Sequence, residues 1–291
     1  MEGLHQMIQY ALPGFTTHLR FNMMFIDLLK SAPELFYNDI KIECLYGCFP
    51  NCIMNGGRVI QGERYSIDQI NRTFDTIEKA GISIRLTFTN MLIQPKDFDD
   101  EYGNNILKAA QGRNAKVIVN SDELGEYISN RYHLNLILST TRALNGIEEL
   151  NAMLDRYDMV VLNYNHNKDY EFLKQVRNPH RLEMMVNELC KPGCEYRQKH
   201  YESDSLQMLN LAAPVFCCQG GGEGPGFTTR IDNSPTILSN DEIRKLNNSF
   251  GISHFKIVGR AQSKQLNTES FLYYLIRPEY HSVVYKIIKN K

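Results

Sequence analysis

Short apolar segments alternate along the chain with longer segments in which apolar residues recur every three or four positions. The short segments are rich in β-branched and aromatic residues, as buried strands are. Eight segments are predicted to be strands: residues 7–11, 40–46, 82–88, 116–120, 134–139, 159–162, 182–186 and 255–258. The intervening lengths are those of βα units.

Helical periodicity is present between most of these strands. It is found at residues 22–35, 66–80, 123–132, 147–157, 169–176 and 241–250, and an amphipathic stretch at 268–288 is expected to close the chain against the barrel wall. Three of the helices have start signals. Ser66 and Gln69 have the spacing of a capping box, and Ser121 and Ser239 stand just before acidic first turns.

Strands that alternate with helices of this length predict right-handed βαβ units and a parallel sheet. Eight such units predict an α/β fold of the (β/α)8 TIM-like barrel type, as a single domain over residues 1–291 with a long cysteine- and glycine-bearing excursion after strand 7. An open doubly wound sheet is the alternative. The first strand is not followed by G-x-G-x-x-G, which weakens a dinucleotide-binding interpretation.

Composition and charge narrow the classes of partner. The chain is 43% hydrophobic and 22% charged, with a formal net charge of −1 and no long run of like charges. A nucleic-acid or membrane-binding arm is therefore not indicated. Neither a signal peptide nor an apolar run of membrane-spanning length is apparent, so a cytoplasmic location is expected.

The polar residues at the carboxyl ends of the strands are the first candidates for a site, because the βα loops of a barrel converge there. Glu188 is suited to proton transfer and Arg260 to binding a carboxylate, with Asn90 and Asn120 expected to face the same cavity. Each has a structural alternative. Asn is common in turns and helix caps, Arg260 suits a structural ion pair, and Glu188 suits a pair with Arg197 or Lys256.

Seven cysteines occur in three groups: Cys44, Cys48 and Cys52; Cys190 and Cys194; Cys217 and Cys218. An odd number without an export signal favours metal binding or redox chemistry over disulfides. Because the groups follow strands 2 and 7, they point to the same mouth of the barrel.

Four thiolates suit a [4Fe–4S] cluster, and the expected ligands are Cys52, Cys190, Cys194 and Cys217. Cys218 is an equal alternative to its neighbour, whereas Cys44 and Cys48 are expected to be small buried hydrophobes. Zinc is the alternative metal. A position at the barrel mouth rather than in a peripheral loop favours iron–sulfur.

Two segments then resemble the U32 peptidase-like family. Residues 238–243, Leu-Ser-Asn-Asp-Glu-Ile, and residues 251–260, Gly-Ile-Ser-His-Phe-Lys-Ile-Val-Gly-Arg, are similar to the helix and G-I-x-x-(F/L)-K-I-x-G-R segment that close the barrel in that family. The order of strands and cysteine groups is also similar over most of the chain. Motif-level similarity is confined to the region after strand 7 and the loop after strand 2.

The resemblance implies an iron–sulfur protein rather than a protease, since the better understood members act in oxygen-independent hydroxylation of ubiquinone precursors or of RNA bases. In the small quinone-pathway members one cysteine follows strand 2 and the others follow strand 7. This implies Cys52 as the first ligand and places Cys190 and Cys194 in the region of the others, although the family's spacing there is not reproduced. It also implies a small-molecule or carrier-bound substrate and a partner subunit.

Three other functions remain open. Cys44-x3-Cys48-x3-Cys52 approaches the triad of radical S-adenosylmethionine enzymes, with the last spacing one residue too long. Proteolysis is suggested only by the family's name, with His200 near Cys194 as a pair that could in principle be nucleophilic. A non-catalytic, metal-stapled scaffold that binds a partner subunit is the third, and it predicts a filled or covered barrel mouth.

Overall fold

Eight parallel strands form a closed barrel in the computed structural model, which describes residues 6–214, 227–231, 234–259 and 264–289. They are β1 (Ile8–Pro13), β2 (Ile40–Gly47), β3 (Ser83–Phe88), β4 (Ala115–Val119), β5 (Asn135–Leu138), β6 (Met159–Val161), β7 (Leu182–Met185) and β8 (His254–Lys256). Each strand pairs with the next along the chain, and β8 pairs with β1. All eight overlap the predicted segments, so the predicted (β/α)8 barrel is confirmed.

Helices cover the outside of the barrel. Those of the described residues are α1 (Leu19–Ser31), α2 (Ile67–Lys79), α3 (Glu101–Ala110), α4 (Asp122–Tyr132), α5 (Ile147–Arg156), α6 (Tyr170–Leu173), α7 (Arg197–Met208), α8 (Phe227–Ile231), α9 (Asn240–Phe250), α10 (Lys264–Leu275) and α11 (His281–Lys289). Among them, no helix has the length and apolar character that a membrane-spanning segment requires.

Two long helices lie where the periodicity predicted none. In α3 the start signal is Asp100, whose carboxylate accepts a hydrogen bond from the Gly103 amide at 2.7 Å. In α7 the residues are mostly polar, and only Ser203, Ser205 and Met208 are buried. A helix that buries so few apolar residues leaves little periodic signal in the sequence.

The predicted helix starts are confirmed. Ser66 and Gln69 form a capping box on α2, and Ser239 and Glu242 form one on α9. Ser121 accepts a hydrogen bond from the Leu124 amide at 3.2 Å and so caps α4. These bonds satisfy amide groups that have no partner within the helix.

The final amphipathic stretch is two helices rather than one. A 3-10 turn at Pro278–Tyr280 separates α10 from α11. Proline lacks the amide hydrogen that a continuous helix needs, and it disfavours helical geometry in the residue before it. The predicted range therefore spans a helix end and a new helix start.

One half of the barrel interior is apolar. Residues of β4 to β7, with Val258 just after β8, form a cluster of buried side chains there, which includes Ile118, Ile137, Met159, Val161 and Met185. The other half is charged. Arg85 on β3 bonds to Glu183 on β7, and its second terminal nitrogen bonds to the Glu43 carboxylate at 2.7 Å.

An irregularity in β2 places Glu43 in this charged half. Tyr10 pairs with Ile42 and the next residue of β1 pairs with Cys44, so Glu43 is an extra residue without a partner on β1. Such a bulge redirects a side chain. The Glu43 carboxylate thereby reaches both Arg85 and His254, and the distance to His254 Nδ1 is 3.0 Å.

Candidate functional site

A cavity of about 1250 Å³ opens at the carboxyl ends of the strands. Its floor includes barrel side chains such as Tyr46, Thr87 and Lys256, and its walls come from the loops after β1, β2, β5 and β7 together with α7. This is the position at which βα loops converge in barrels of this type. The scaffold hypothesis predicted a filled or covered mouth, and the described residues leave it open.

The loop after β2 is held rigidly against the next strand. Asn55 Nδ2 donates to the Arg58 carbonyl at 2.8 Å, and Asn55 Oδ1 accepts from Thr87 Oγ1 at 2.9 Å. Thr89 Oγ1 donates to the Gly56 carbonyl at 2.7 Å. These bonds fix the backbone from which the Arg58 side chain projects into the lining of the cavity.

Positive charge predominates in the described lining. Four cationic residues contribute to it, Arg58, Lys191, Arg197 and Lys256, against two acidic ones, Glu188 and Asp204. The Glu188 carboxylate is paired with Arg197 at 3.1 Å, which leaves an excess of cations. A partly enclosed cationic cavity attracts an anionic ligand more strongly than an exposed cationic surface does.

Two histidines also line the cavity, His18 and His200. Burial, and then the charge of Arg58, lower the pKa of His18, so its ring is neutral at neutral pH. Burial raises the pKa of Asp204, against the charges of Arg58 and His200. Arg58 thus affects the pKa of groups on two different walls of the cavity.

Arg197, at the start of α7, organises one wall. Its guanidinium lies 4.0 Å from the centroid of the Tyr164 ring and bonds to the Glu188 carboxylate. Burial raises the pKa of the nearby Cys190 thiol, and the Tyr164 and Arg197 side chains act in the opposite direction. The Tyr164 hydroxyl donates to the Lys191 carbonyl at 2.8 Å. Glu188 in turn accepts the Cys190 amide at 3.0 Å. Glu188 and Cys190 are therefore held in one network that faces the cavity.

Of the predicted catalytic residues, Glu188 lines the cavity. It is paired with Arg197, which is the structural alternative that the sequence offered for this residue. Asn90 is completely buried, and its Nδ2 donates to the Ile53 and Ser205 carbonyls at 2.7 and 3.2 Å. Asn120 donates to Thr141 Oγ1 at 2.9 Å. Both amides lie behind the lining residues and join loops to one another.

The predicted cluster ligands are divided between two environments. Cys190 and Cys194 line the cavity, whereas Cys52 is wholly buried in the hydrophobic core beside Cys48. Cys44 is also buried, as expected for a small hydrophobe.

Arg260, Cys217 and its neighbour Cys218 lie outside the described residues. Within residues 6–214, 227–231, 234–259 and 264–289, no group of three or more His, Cys, Asp or Glu side chains is placed to hold a metal ion. The described residues thus offer two thiols at the cavity and do not by themselves make a cluster site.

Sequence reasoning considered Lys256 only as a partner for Glu188, and it missed Arg58 in the cavity and the interior charges Glu43, Arg85 and Glu183. A signal for most of these charges was present, since Lys256 and the three interior charges lie inside apolar strand segments. A charged residue within a buried strand must be paired or functional. Arg58 lies in a loop and had no such signal.

Comparison with known proteins shows a shared fold. The chain is similar to the solved structure of the U32 peptidase Mk0906, at 12% identity and a TM-score of 0.53, over 89% of this chain and 95% of that one. A GH113 beta-1,4-mannanase aligns at 9% identity and a TM-score of 0.38, over 87% of each chain. No family profile and no curated protein sequence matches. The fold is therefore that of a U32-like barrel.

Proposed function

We propose that this protein is an enzyme that binds a small or carrier-bound anionic substrate in the cavity at the barrel mouth. The observation that supports this most directly is the excess of cations in the lining, from Arg58, Lys191, Arg197 and Lys256. Catalytic residues of barrel enzymes come from the same end of the strands. The volume, about 1250 Å³, suits a small molecule or the end of a carrier arm.

Arg58 is the residue assigned to the anionic group of the substrate. Its backbone is fixed by Asn55, and it lies near the neutral ring of His18, so a bound anion meets a preformed donor set. Arg197 is already paired with Glu188 and packed against the Tyr164 ring. Its role is to hold the cavity wall at the start of α7 in place. Charge-assisted bonds to a bidentate guanidinium are the strong ones.

The test is binding of inorganic phosphate and pyruvate, measured by isothermal titration calorimetry on the full chain. Arg58→Gln is expected to weaken binding about tenfold or more, because one charge-assisted contact is lost. Arg177→Gln is the matched control, because Arg177 precedes β7 at the opposite end of the barrel and forms an exposed pair with Asp155. Equal affinities in the two variants, or no binding to the natural chain, would contradict the proposal.

A second candidate is a [4Fe–4S]-dependent oxidoreductase or hydroxylase. What favours it is that Cys190 and Cys194 line the same cationic cavity. Two further thiolates would have to complete the set, from Cys52 by some rearrangement of the core or from Cys217 or Cys218. A cluster would supply electron transfer beside the substrate.

Metal analysis after anaerobic purification separates the two candidates. About four irons and matching sulfide per chain, lost in Cys190→Ala and Cys194→Ala, is the expected result for a cluster. Cys52→Ala and Cys217→Ala test the other predicted ligands, and Cys44→Ala is the control because its thiol is buried within the barrel. Zinc in place of iron, or a metal-free chain with unchanged anion binding, would contradict the cluster. The anion-binding enzyme would then be the candidate that stands.

A further inference from the structure

Lys256 has an unusual position for a lysine. It is the last residue of β8, only 10% of its side chain is exposed, and the exposed part belongs to the floor of the cavity. Lysine is rarely this buried unless it is paired or chemically used. Its ammonium group lies 4.0 Å from the centroid of the Tyr46 ring, whose hydroxyl is fixed on the Ile257 carbonyl at 2.8 Å.

The Lys256 amine is close to an acidic residue but is not hydrogen-bonded to it. The nearest acid is Glu183, and the distance from Lys256 Nζ to Glu183 Oε1 is 3.8 Å, longer than a hydrogen bond. Glu183 is completely buried, and its Oε1 atom has no hydrogen-bond partner among the described residues. The other carboxylate oxygen is bonded to Arg85. A buried acceptor is therefore left beside an amine that faces the cavity.

Burial makes the Lys256 ammonium group easier to deprotonate than an exposed one. Burial has the largest effect and lowers the pKa of Lys256, and the charges of Arg85 and Arg58 lower it further, against the opposite effects of Glu183 and Cys44. A desolvated lysine beside other cations is the arrangement that activates an amine as a nucleophile. Arg58 and Lys256 line the same cavity, so one bound molecule can meet both side chains.

We propose that Lys256 forms an imine with the carbonyl group of a small substrate whose anionic group is bound by Arg58, so that the substrate class is an anionic aldehyde or ketone such as a 2-oxo acid. This rests on the proposed anion-binding function of the cavity. The neutral amine attacks the carbonyl carbon, the carbon–nitrogen double bond forms, and the carbonyl oxygen leaves as water with two protons.

Oxidation states do not change in this step, so no oxidant or reductant is required, and hydrolysis by water regenerates the amine. Glu183 Oε1 is the nearest acceptor for the proton that the ammonium group must first release. Tyr46 directs the amine toward the cavity by its ring contact. The neutral His18 ring is a further group in the lining that can exchange a proton with the departing water.

The experiment uses pyridoxal 5′-phosphate as a probe, because it combines an aldehyde with a phosphate dianion. The full chain is incubated with the probe and reduced with borohydride, and the labelled lysines are located by peptide mapping. Labelling of Lys256 is expected to be about tenfold faster than that of Lys245. Lys245 is a matched control, since its ammonium also lies 4.0 Å from a tyrosine ring centroid, that of Tyr170, but in a cleft outside the barrel.

Two further results are expected. Inorganic phosphate and Arg58→Gln should each slow the labelling of Lys256 without changing that of Lys245. In Lys256→Arg, which keeps a cation beside Glu183 but cannot form an imine, the label at this position should be lost while circular dichroism reports a folded chain.

The outcomes distinguish the two proposals. Labelling of Lys256 no faster than that of Lys245, in a protein that still binds phosphate through Arg58, would overturn the imine and leave the anion site. Absence of phosphate binding, with no protection of Lys256, would overturn the anion site itself and with it the proposed substrate class.

Discussion

Arg85 on β3 and Glu183 on β7 form an ion pair across the interior of the barrel, between strands that do not pair with each other. Arg85 is 1% exposed and Glu183 is fully buried. Glu43 and Lys256 extend this pair, one on each side. The charges thus run from the barrel interior to the floor of the cavity, and both Arg85 and Glu183 affect the pKa of Lys256.

Removal of one partner of the central pair is expected to destabilise the fold strongly. Glu183→Gln removes the negative charge that compensates the buried charges of Arg85 and Lys256, so the free energy of unfolding should fall by about 3–5 kcal/mol. Urea denaturation measures it. Arg177→Gln, which removes an exposed pair with Asp155, should cost less than about 1 kcal/mol. Equal losses in the two variants would contradict the interior network.

Stability should depend on pH through Glu43. Burial raises the pKa of this carboxyl, but the hydrogen bonds from His254 and Arg85 outweigh it and lower the pKa from 4.5 to about 2. A lowered folded-state pKa means that the stabilisation is present above the unfolded-state value and is lost as the pH falls from 4.5 toward 2. The contribution is about 3 kcal/mol.

The measurement is the free energy of unfolding of the natural chain and of Glu43→Gln at several pH values between neutral and 2. The difference between the two proteins should be largest at neutral pH and should shrink below 4.5. A difference that stays constant across this range would show that the carboxylate is not held in its ionised form by Arg85 and His254.

Asn90 is expected to stabilise loops rather than to take part in chemistry. Asn90→Ala removes the donor that bonds the Ile53 and Ser205 carbonyls, and the free energy of unfolding should fall by about 1–3 kcal/mol. Phosphate affinity at low temperature, where the variant stays folded, should change little. Loss of phosphate binding without loss of stability would show instead that Asn90 takes part in ligand binding.

The loop that positions Arg58 should be sensitive to a single methyl group. A Cβ atom at position 56 would lie 2.5 Å from the Thr89 carbonyl oxygen and 2.6 Å from the Asn90 backbone. Gly56→Ala should therefore cost about 1–3 kcal/mol and weaken phosphate binding, because the backbone must move. Gly146→Ala is the control, since the nearest atom to its added Cβ is 3.9 Å away. Thermal melts and calorimetry check both effects.

Local structural features of this protein were predictable from its sequence. Buried strands produce short apolar segments, and side-chain oxygens such as Ser66 and Ser239 cap helices through bonds only three residues apart. The eight strands and several helix starts were therefore predicted correctly. Helix α7 was missed because it buries few apolar residues, which is a property of its surroundings.

The predicted metal ligands illustrate what local sequence does not determine. Cys52 and Cys190 both follow strands that end at the barrel mouth, which made them equivalent as candidates. In the folded chain the loop after β2 turns Cys52 into the core beside Cys48, while Cys190 remains in the cavity lining. That difference depends on how the loop packs, and packing is a property of many distant contacts.

The sequence by itself determined the alternation of strands and helices, which favoured the barrel over an open sheet, because hydrophobic periodicity and capping act between near neighbours. Only the tertiary structure decided which charges meet. Closure of the sheet places β3 opposite β7, and β2 and β8 on either side of β1, around one interior, so that Arg85, Glu43, Glu183 and Lys256 form a single network. Electrostatic partners are chosen by distance in space, and residues 43 and 254 become neighbours only when the barrel closes.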